Sequence, residues 1–241
     1  MLRKFGKNVL AKFGYRVSRI SGLPPDNSME FGISTLRRLG FTPCTVLDVG
    51  ASDGRWSEIA IGFFPDAHYV LFEPQVCHSD GLSRFQERHR ERVTIVTKAV
   101  GRKSGFSYFD ASDPFGGALR NAAGDRVIEV GVTSLDETVA DLKSQSPYLI
   151  KLDTHGYERS ILDGSGATLQ KACALVIEAY NYKLTDECML FWELCSYLQQ
   201  LNFRPVAIAD TMRRRYDQTL WQMDLFFVSA SWPGFSHVTY D

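Results

Sequence analysis

Two hydrophobic periods alternate along most of the chain. Short, mostly apolar runs occur at Thr45–Val49 (TVLDV), Tyr69–Phe72 (YVLF), Val93–Val96 (VTIV), Tyr148–Leu152 (YLIKL), Ala174–Ile177 (ALVI), Pro205–Ala209 and Leu225–Val228 (LFFV). Runs of that length, rich in β-branched and aromatic residues, predict buried strands. Helical periods fill the gaps. They cover Met29–Leu39, Arg55–Phe64 (Trp56, Ile59, Ala60, Phe63 and Phe64 on one face), a polar and basic stretch over 79–90, a segment from about Gly156, and a long one over 186–201. Strands alternating with helices predict an α/β fold, a parallel sheet covered on both faces. Residues 105–132, with the Phe115-Gly116-Gly117 turn, break the rhythm. They read as a hairpin-like insertion that either lies over the rim of the sheet or extends its edge.

The first twenty residues follow a different pattern. Leu2, Phe5, Val9, Leu10, Phe13, Val17 and Ile20 recur at helical spacing, while Arg3, Lys4, Lys7, Lys12, Arg16 and Arg19 make the rest basic. This predicts a basic amphipathic helix, weakened by Gly6 and Gly14. The Pro24-Pro25 and Asp26-Asn27 pairs within Ser21–Ser28 are breakers, so residues 1–28 read as an arm and linker, and 29–241 as the main domain. The arm has two readings: it packs across its own domain or a partner subunit, or it lies on an anionic membrane surface.

Charge and composition narrow the class. The 241 residues suit one domain with an appendage. Lys and Arg number 27 against 28 Asp and Glu, which argues against a general nucleic-acid binder. That balance hides an asymmetry: residues 1–20 carry six bases and no acid, and the remainder carries a net charge of -7. No apolar run approaches a bilayer span, and the N-terminus lacks a signal-peptide core. The five Cys are widely spaced with no CxxC, which excludes a zinc or disulfide framework. Reduced thiols in or near the core point to the cytoplasm.

Four constellations carry chemistry. Asp48-Val49-Gly50-Ala51-Ser52-Asp53-Gly54 joins a buried strand to an amphipathic helix, a turn that brings backbone N–H groups to the carboxyl end of a sheet. Glu73 ends the next strand, 19 residues after Gly54, where nucleotide-binding folds place an acid on the ribose hydroxyls. The loop lacks G-x-G-x-x-G, so it is not the NAD fingerprint. Lys151-Leu152-Asp153-Thr154-His155-Gly156-Tyr157-Glu158 ends the fourth strand, beside the first at the switch point. There Asp153 is suited to hold a substrate, and His155 to take a proton from its hydroxyl. Glu158 complements the helix N-terminus. Glu178 ends the fifth strand on the same rim, and a divalent metal held by Asp153, His155 and Glu178 is chemically reasonable.

DxGxxxG followed by an acid at the next strand end is the pattern of class I S-adenosylmethionine-dependent methyltransferases. Beyond it, the segments VLDVGASDGRWS (46–57), LFEPQ (71–75), KAVG (98–101), TSLDE (133–137), LIKLDTHGYERSILDGS (149–165), LVIEAYNY (175–182) and DLFFV (224–228) resemble the FkbM family of these enzymes. The resemblance implies a Rossmann-like domain with a seven-stranded, mostly parallel sheet. It implies O-methylation of a hydroxyl on a sugar, polysaccharide, glycolipid or natural product, with S-adenosylmethionine as cofactor. Position by position, it implies cofactor contacts at Asp48, Gly50, Ala51, Asp53, Gly54, Glu73 and Ala99, the last bordering the adenine. The family's D-x-E/Q-G-x-E segment falls on Asp153, His155, Gly156 and Glu158, with His155 in place of the family's Glu or Gln. An inactive S-adenosylmethionine-binding module and a nicotinamide-dependent oxidoreductase are the alternatives. The intact cofactor loop disfavours the first, and the absent NAD fingerprint the second.

Overall fold

The protein was analysed as a computed structural model that describes residues 25–114, 116–120 and 124–240. The basic helix expected over residues 1–20 lies outside the described residues, and so does the first half of its linker.

The chain runs α1 (Met29–Arg38), β1 (Thr45–Val49), α2 (Arg55–Phe63), β2 (His68–Phe72), α3 (Ser79–His89), β3 (Val93–Val96), β4 (Ala99–Val100), β5 (Gly105–Asp110), β6 (Ala118–Arg120), β7 (Val127–Thr133), α4 (Leu135–Asp141), β8 (Tyr148–Leu152), α5 (Glu158–Asp163), α6 (Gly166–Leu169), β9 (Ala172–Tyr180), α7 (Phe191–Gln200), β10 (Phe203–Arg213) and β11 (Leu220–Ser229). Seven strands form one sheet in the order β10-β11-β9-β8-β1-β2-β3. Every pairing from β9 to β3 is parallel, and β11 runs antiparallel to both neighbours. The chain leaves β1 toward β2 on one side and returns at β8 on the other. The crevice for a ligand therefore opens at the carboxyl ends of β1 and β8.

Strand alternation divides the apolar residues between two faces. Val46, Leu149, Val176 and Phe226 pack under α1, α2 and α3. Leu47, Ile150, Leu175 and Phe227 pack under α4 to α7. Ser28 caps α1 by accepting from Phe31 N, and Ser134 caps α4 by accepting from Glu137 N.

Some predicted boundaries move. The long helix over 186–201 is confined to Phe191–Gln200, because Glu193 accepts from Leu190 N and sets the first turn there. The preceding residues are held elsewhere: Thr185 Oγ1 donates to Gly156 O. The helix expected from Gly156 starts at Glu158. Strands β9, β10 and β11 outrun their apolar cores, since antiparallel pairing to β11 carries polar ends along. The insertion is more than a hairpin. It starts at Ala99 and builds a second sheet, β4-β7-β5-β6, around Phe109, Leu119, Val130 and Val132, so it does not extend the edge of the large sheet.

The thiols are less uniformly packed than expected. Cys188 is buried and Cys173 and Cys195 are partly so, but Cys44 and Cys77 are exposed. Among the described residues, no helix is long and apolar enough to cross a membrane.

Candidate active site

At the carboxyl end of the large sheet lies a cavity of about 420 Å³. That volume is in the range of small-molecule sites. One end has apolar walls from Val49, Phe72, Ala99, Val100, Phe109 and Leu119, with Glu73 set among them. Asp153, His155 and Glu178 form the other end, with Gln222 and Met212 at the mouth.

Gly50, Ala51, Glu73 and Ala99 line the cavity. The remaining residues of the expected cofactor set do not. Asp48 is fully buried behind the loop, where Ser57 Oγ donates to its Oδ2 at 2.6 Å. Asp53 turns outward to an ion pair with Arg55 at 2.6 Å. Gly54, at φ +86°, makes the left-handed step that starts α2. The loop's N–H groups are also committed internally. Gly50 N and Ala51 N both donate to Phe72 O, at 3.1 and 3.0 Å, and Ser52 N donates to Glu73 Oε2 at 2.9 Å. Gly50 is tightly enclosed: at φ +75°, a Cβ there would lie 2.0 Å from Asp153 O.

Glu73 is 5% exposed, and burial pushes its carboxyl above the usual range despite two backbone donors. Each oxygen accepts one N–H, from Ser52 and Gln75 at 2.9 Å. A carboxylate oxygen has capacity for a further donor, so Glu73 is equipped for a pair of vicinal hydroxyls. Glu73 and the apolar lining residues Phe72, Ala99 and Val100 together suit a nucleoside.

Sequence reasoning assigned no role to Lys151, which joins the two ends of the site. Its side chain is 4% exposed. Nζ donates to Gly50 O at 3.0 Å and lies 3.2 Å from both Asp48 Oδ1 and Asp153 Oδ2. Burial works against the ammonium charge, but Asp153 and Asp48 outweigh it and hold Lys151 protonated. Alternation explains the row: Asp48 and Lys151 are directly paired in register, as are Glu178 and Asp224 on β9 and β11. The signal was present as a single charge inside the apolar run YLIKL, which is expensive unless paired.

The catalytic candidates meet here. His155 adopts φ +53° and Gly156 φ +97°, a left-handed turn that swings the imidazole back over the cavity. Its Nε2 lies 3.8 Å from Asp153 Oδ1 and 3.8 Å from Glu178 Oε2. Its Nδ1 lies 3.2 Å from Gly117 O, in the insertion. Burial opposes ionisation of Asp153, but the positive charge of Lys151 prevails and keeps it a carboxylate. Glu178 behaves differently: burial and the neighbouring Asp153 charge push it up to about 10. Tyr180 Oη and Gln222 Nε2 donate to its two oxygens. Glu158 locks the turn, accepting from Gly156 N and Thr154 Oγ1 at 3.0 and 3.1 Å.

One ligand atom from each of Asp153, His155 and Glu178 lies within 4.8 Å of the others, so the expected metal set does converge. A cation there would share Asp153 with the Lys151 ammonium 3.2 Å away.

Comparison with known proteins gives the family and the fold. The methyltransferase FkbM domain matches residues 48–205. No curated protein matches the chain in sequence. Among solved structures, a candidate rRNA methylase from Clostridium thermocellum superposes with a TM-score of 0.50 at 10% identity, over 87% of this chain and 99% of its own. The precorrin-6y C5,15-methyltransferase of Geobacter metallireducens has a TM-score of 0.48 at 13% identity, covering 84% and 88%. A Streptococcus pneumoniae protein described as a tRNA (m1A22) methyltransferase, solved with S-adenosyl-L-methionine, has a TM-score of 0.45 at 13% identity, covering 83% and 71%. At 10% identity the likeness to the Clostridium thermocellum protein speaks for the fold alone. The domain match spans most of the chain, which therefore belongs to the FkbM family and is an S-adenosylmethionine-dependent methyltransferase.

Proposed function

We propose that the enzyme methylates a hydroxyl oxygen of a small glycan, glycolipid or related natural-product acceptor, with His155 as general base. The observation that carries this reading is the His155 ring at the acceptor end of the cavity, with Nε2 3.8 Å from both Asp153 and Glu178. When bound, S-adenosylmethionine supplies an electrophilic methyl group on a sulfonium.

The chain's own residues do the rest. Glu73 would hold the ribose hydroxyls, and Ala99 and Phe72 would border the base. Gly50 and Ala51 would lie under the bound cofactor. Lys151 ties Gly50 to Asp153. A hydroxyl is a weak nucleophile at neutral pH, so removing its proton as the new bond forms helps the reaction. His155 Nε2 takes that proton, and the Asp153 carboxylate stabilises the resulting imidazolium. Orientation of the acceptor oxygen supplies much of the remaining rate enhancement.

The test is transfer of tritiated methyl from S-adenosylmethionine to extracted glycans and glycolipids. His155→Ala and His155→Gln are expected to lower the rate by about 10²–10⁴-fold. Their cofactor affinity, measured by calorimetry, should stay near that of the parent. Gly50→Ala and Glu73→Gln should lose cofactor binding. Dialysis against a chelator should leave the rate intact. A His155→Gln enzyme with normal turnover would remove the base, and loss of activity on chelation would reassign the cluster to a cation.

A further inference from the structure

The insertion touches both ends of the site through two main-chain carbonyls. Pro114 O accepts from Gln75 Nε2 at 3.1 Å and from His78 Nε2 at 2.7 Å. His78 Nδ1 is then the acceptor side of that ring and lies 3.5 Å from Ser52 Oγ, in the cofactor loop. Three residues later, Gly117 O meets His155 Nδ1 at 3.2 Å. A carbonyl only accepts, so Nδ1 carries the hydrogen in that contact. A neutral imidazole protonated at Nδ1 has its lone pair at Nε2.

On the other side of the ring an acceptor competes with Gly117. The groups facing it from the rest of the site are Asp153 and Glu178 near Nε2, Lys151 behind Asp153, Glu158 below the turn, and the Tyr180 ring at 6.4 Å. The Asp153 carboxylate is an acceptor, and it favours a hydrogen on Nε2. That tautomer has no lone pair where a substrate hydroxyl would donate. Gly117 is the residue that lets the carbonyl approach. A Cβ there would lie 2.6 Å from the Phe109 ring and 2.9 Å from Gln75 Nε2.

We propose that the second sheet, Ala99–Thr133, is a positioning device for the base: its Gly117 carbonyl fixes His155 as the Nδ1–H tautomer, and Gln75 and His78 hold that carbonyl in place through Pro114. The inference rests on His155 being the base and adds what makes it one. Gly117, Gln75 and His78 are positioning groups that act through His155.

The experiment is nitrogen-15 NMR of histidine-labelled protein, where protonated and lone-pair ring nitrogens resonate far apart. Five histidines make the spectrum assignable, and His155→Gln identifies the relevant signals by their loss. In the parent protein, His155 is expected as Nδ1–H. His78→Leu removes one grip on Pro114 without touching His155 or the cavity wall. It should shift His155 toward Nε2–H and slow methyl transfer about tenfold or more, since a base held in the wrong tautomer is a poor one. Cofactor affinity should change little. Gln75→Met tests the second grip if His78→Leu does not fold. An Nε2–H tautomer in the parent, or unchanged tautomer and rate in both variants, overturns the inference. If His155→Gln keeps its rate, the base has failed. If it loses its rate while the parent is Nε2–H, only the role of the insertion has failed.

Discussion

Glu178 shows how far one side chain is governed by its surroundings. Burial and the Asp153 charge raise it from an ordinary 4.5 to about 10. Between those values the unfolded chain has released a proton that the folded chain keeps. Stability therefore falls as pH rises, by up to about 1.4 kcal/mol per unit. Glu178→Gln is neutral at every pH, so it should flatten the fall in urea midpoint between about pH 7.5 and pH 9. That window lies above the value of about 7 to which burial and Asp153 push Asp224. Equal slopes in the two proteins would mean that Glu178 is ionised in the fold. At this scale the sequence was legible where chemistry sits at strand ends: Glu73, Asp153, His155 and Glu178 all reach the cavity. Asp48 and Asp53 do not line it, because a motif fixes residue spacing but not which way a side chain turns. Lys151 escaped notice because its partners lie on a different strand and a different turn.

Elements follow the same division. Strands β1, β2, β3 and β8 were predicted to within a residue, since their apolar runs coincide with their parallel pairing. Helices α4 and α6 have seven and four residues, too short for a clear period, and went unseen. The insertion's sheet was hidden for another reason: β4 has two residues, and its pairing with β7 joins segments far apart in sequence. Helix α1 gives an element-scale prediction. Ser28 caps it, and Asn27 binds β10 by accepting from Asp210 N at 2.9 Å and Thr211 Oγ1 at 2.8 Å. Deleting residues 1–28 should cost about 2–3 kcal/mol more than deleting 1–24, from one cap and two hydrogen bonds at about 1 kcal/mol each. Chemical unfolding of the two truncated proteins measures the difference, and equal midpoints would show that these anchors contribute nothing.

The molecule as a whole carries its charge unevenly. From residue 21 onward the net charge is -7. Polynucleotide binding draws most of its affinity from neutralised phosphates and weakens steeply with salt. Methyl transfer to bulk RNA should therefore stay at background at every ionic strength, while transfer to glycan extracts should not. Salt-sensitive labelling of RNA would reverse the assignment of acceptor class. Asn27 has one more consequence. It is pinned to β10 beside Met212, which is half exposed and lines the cavity mouth. Only six residues lie between it and Ile20, the last apolar residue of the basic, amphipathic stretch. Even fully extended, that tether reaches about 25 Å. Any surface that grips the stripe therefore moors the mouth of the cavity nearby. An acceptor embedded in the same surface would then be sampled at a local concentration set by the tether, not by its abundance in bulk solution.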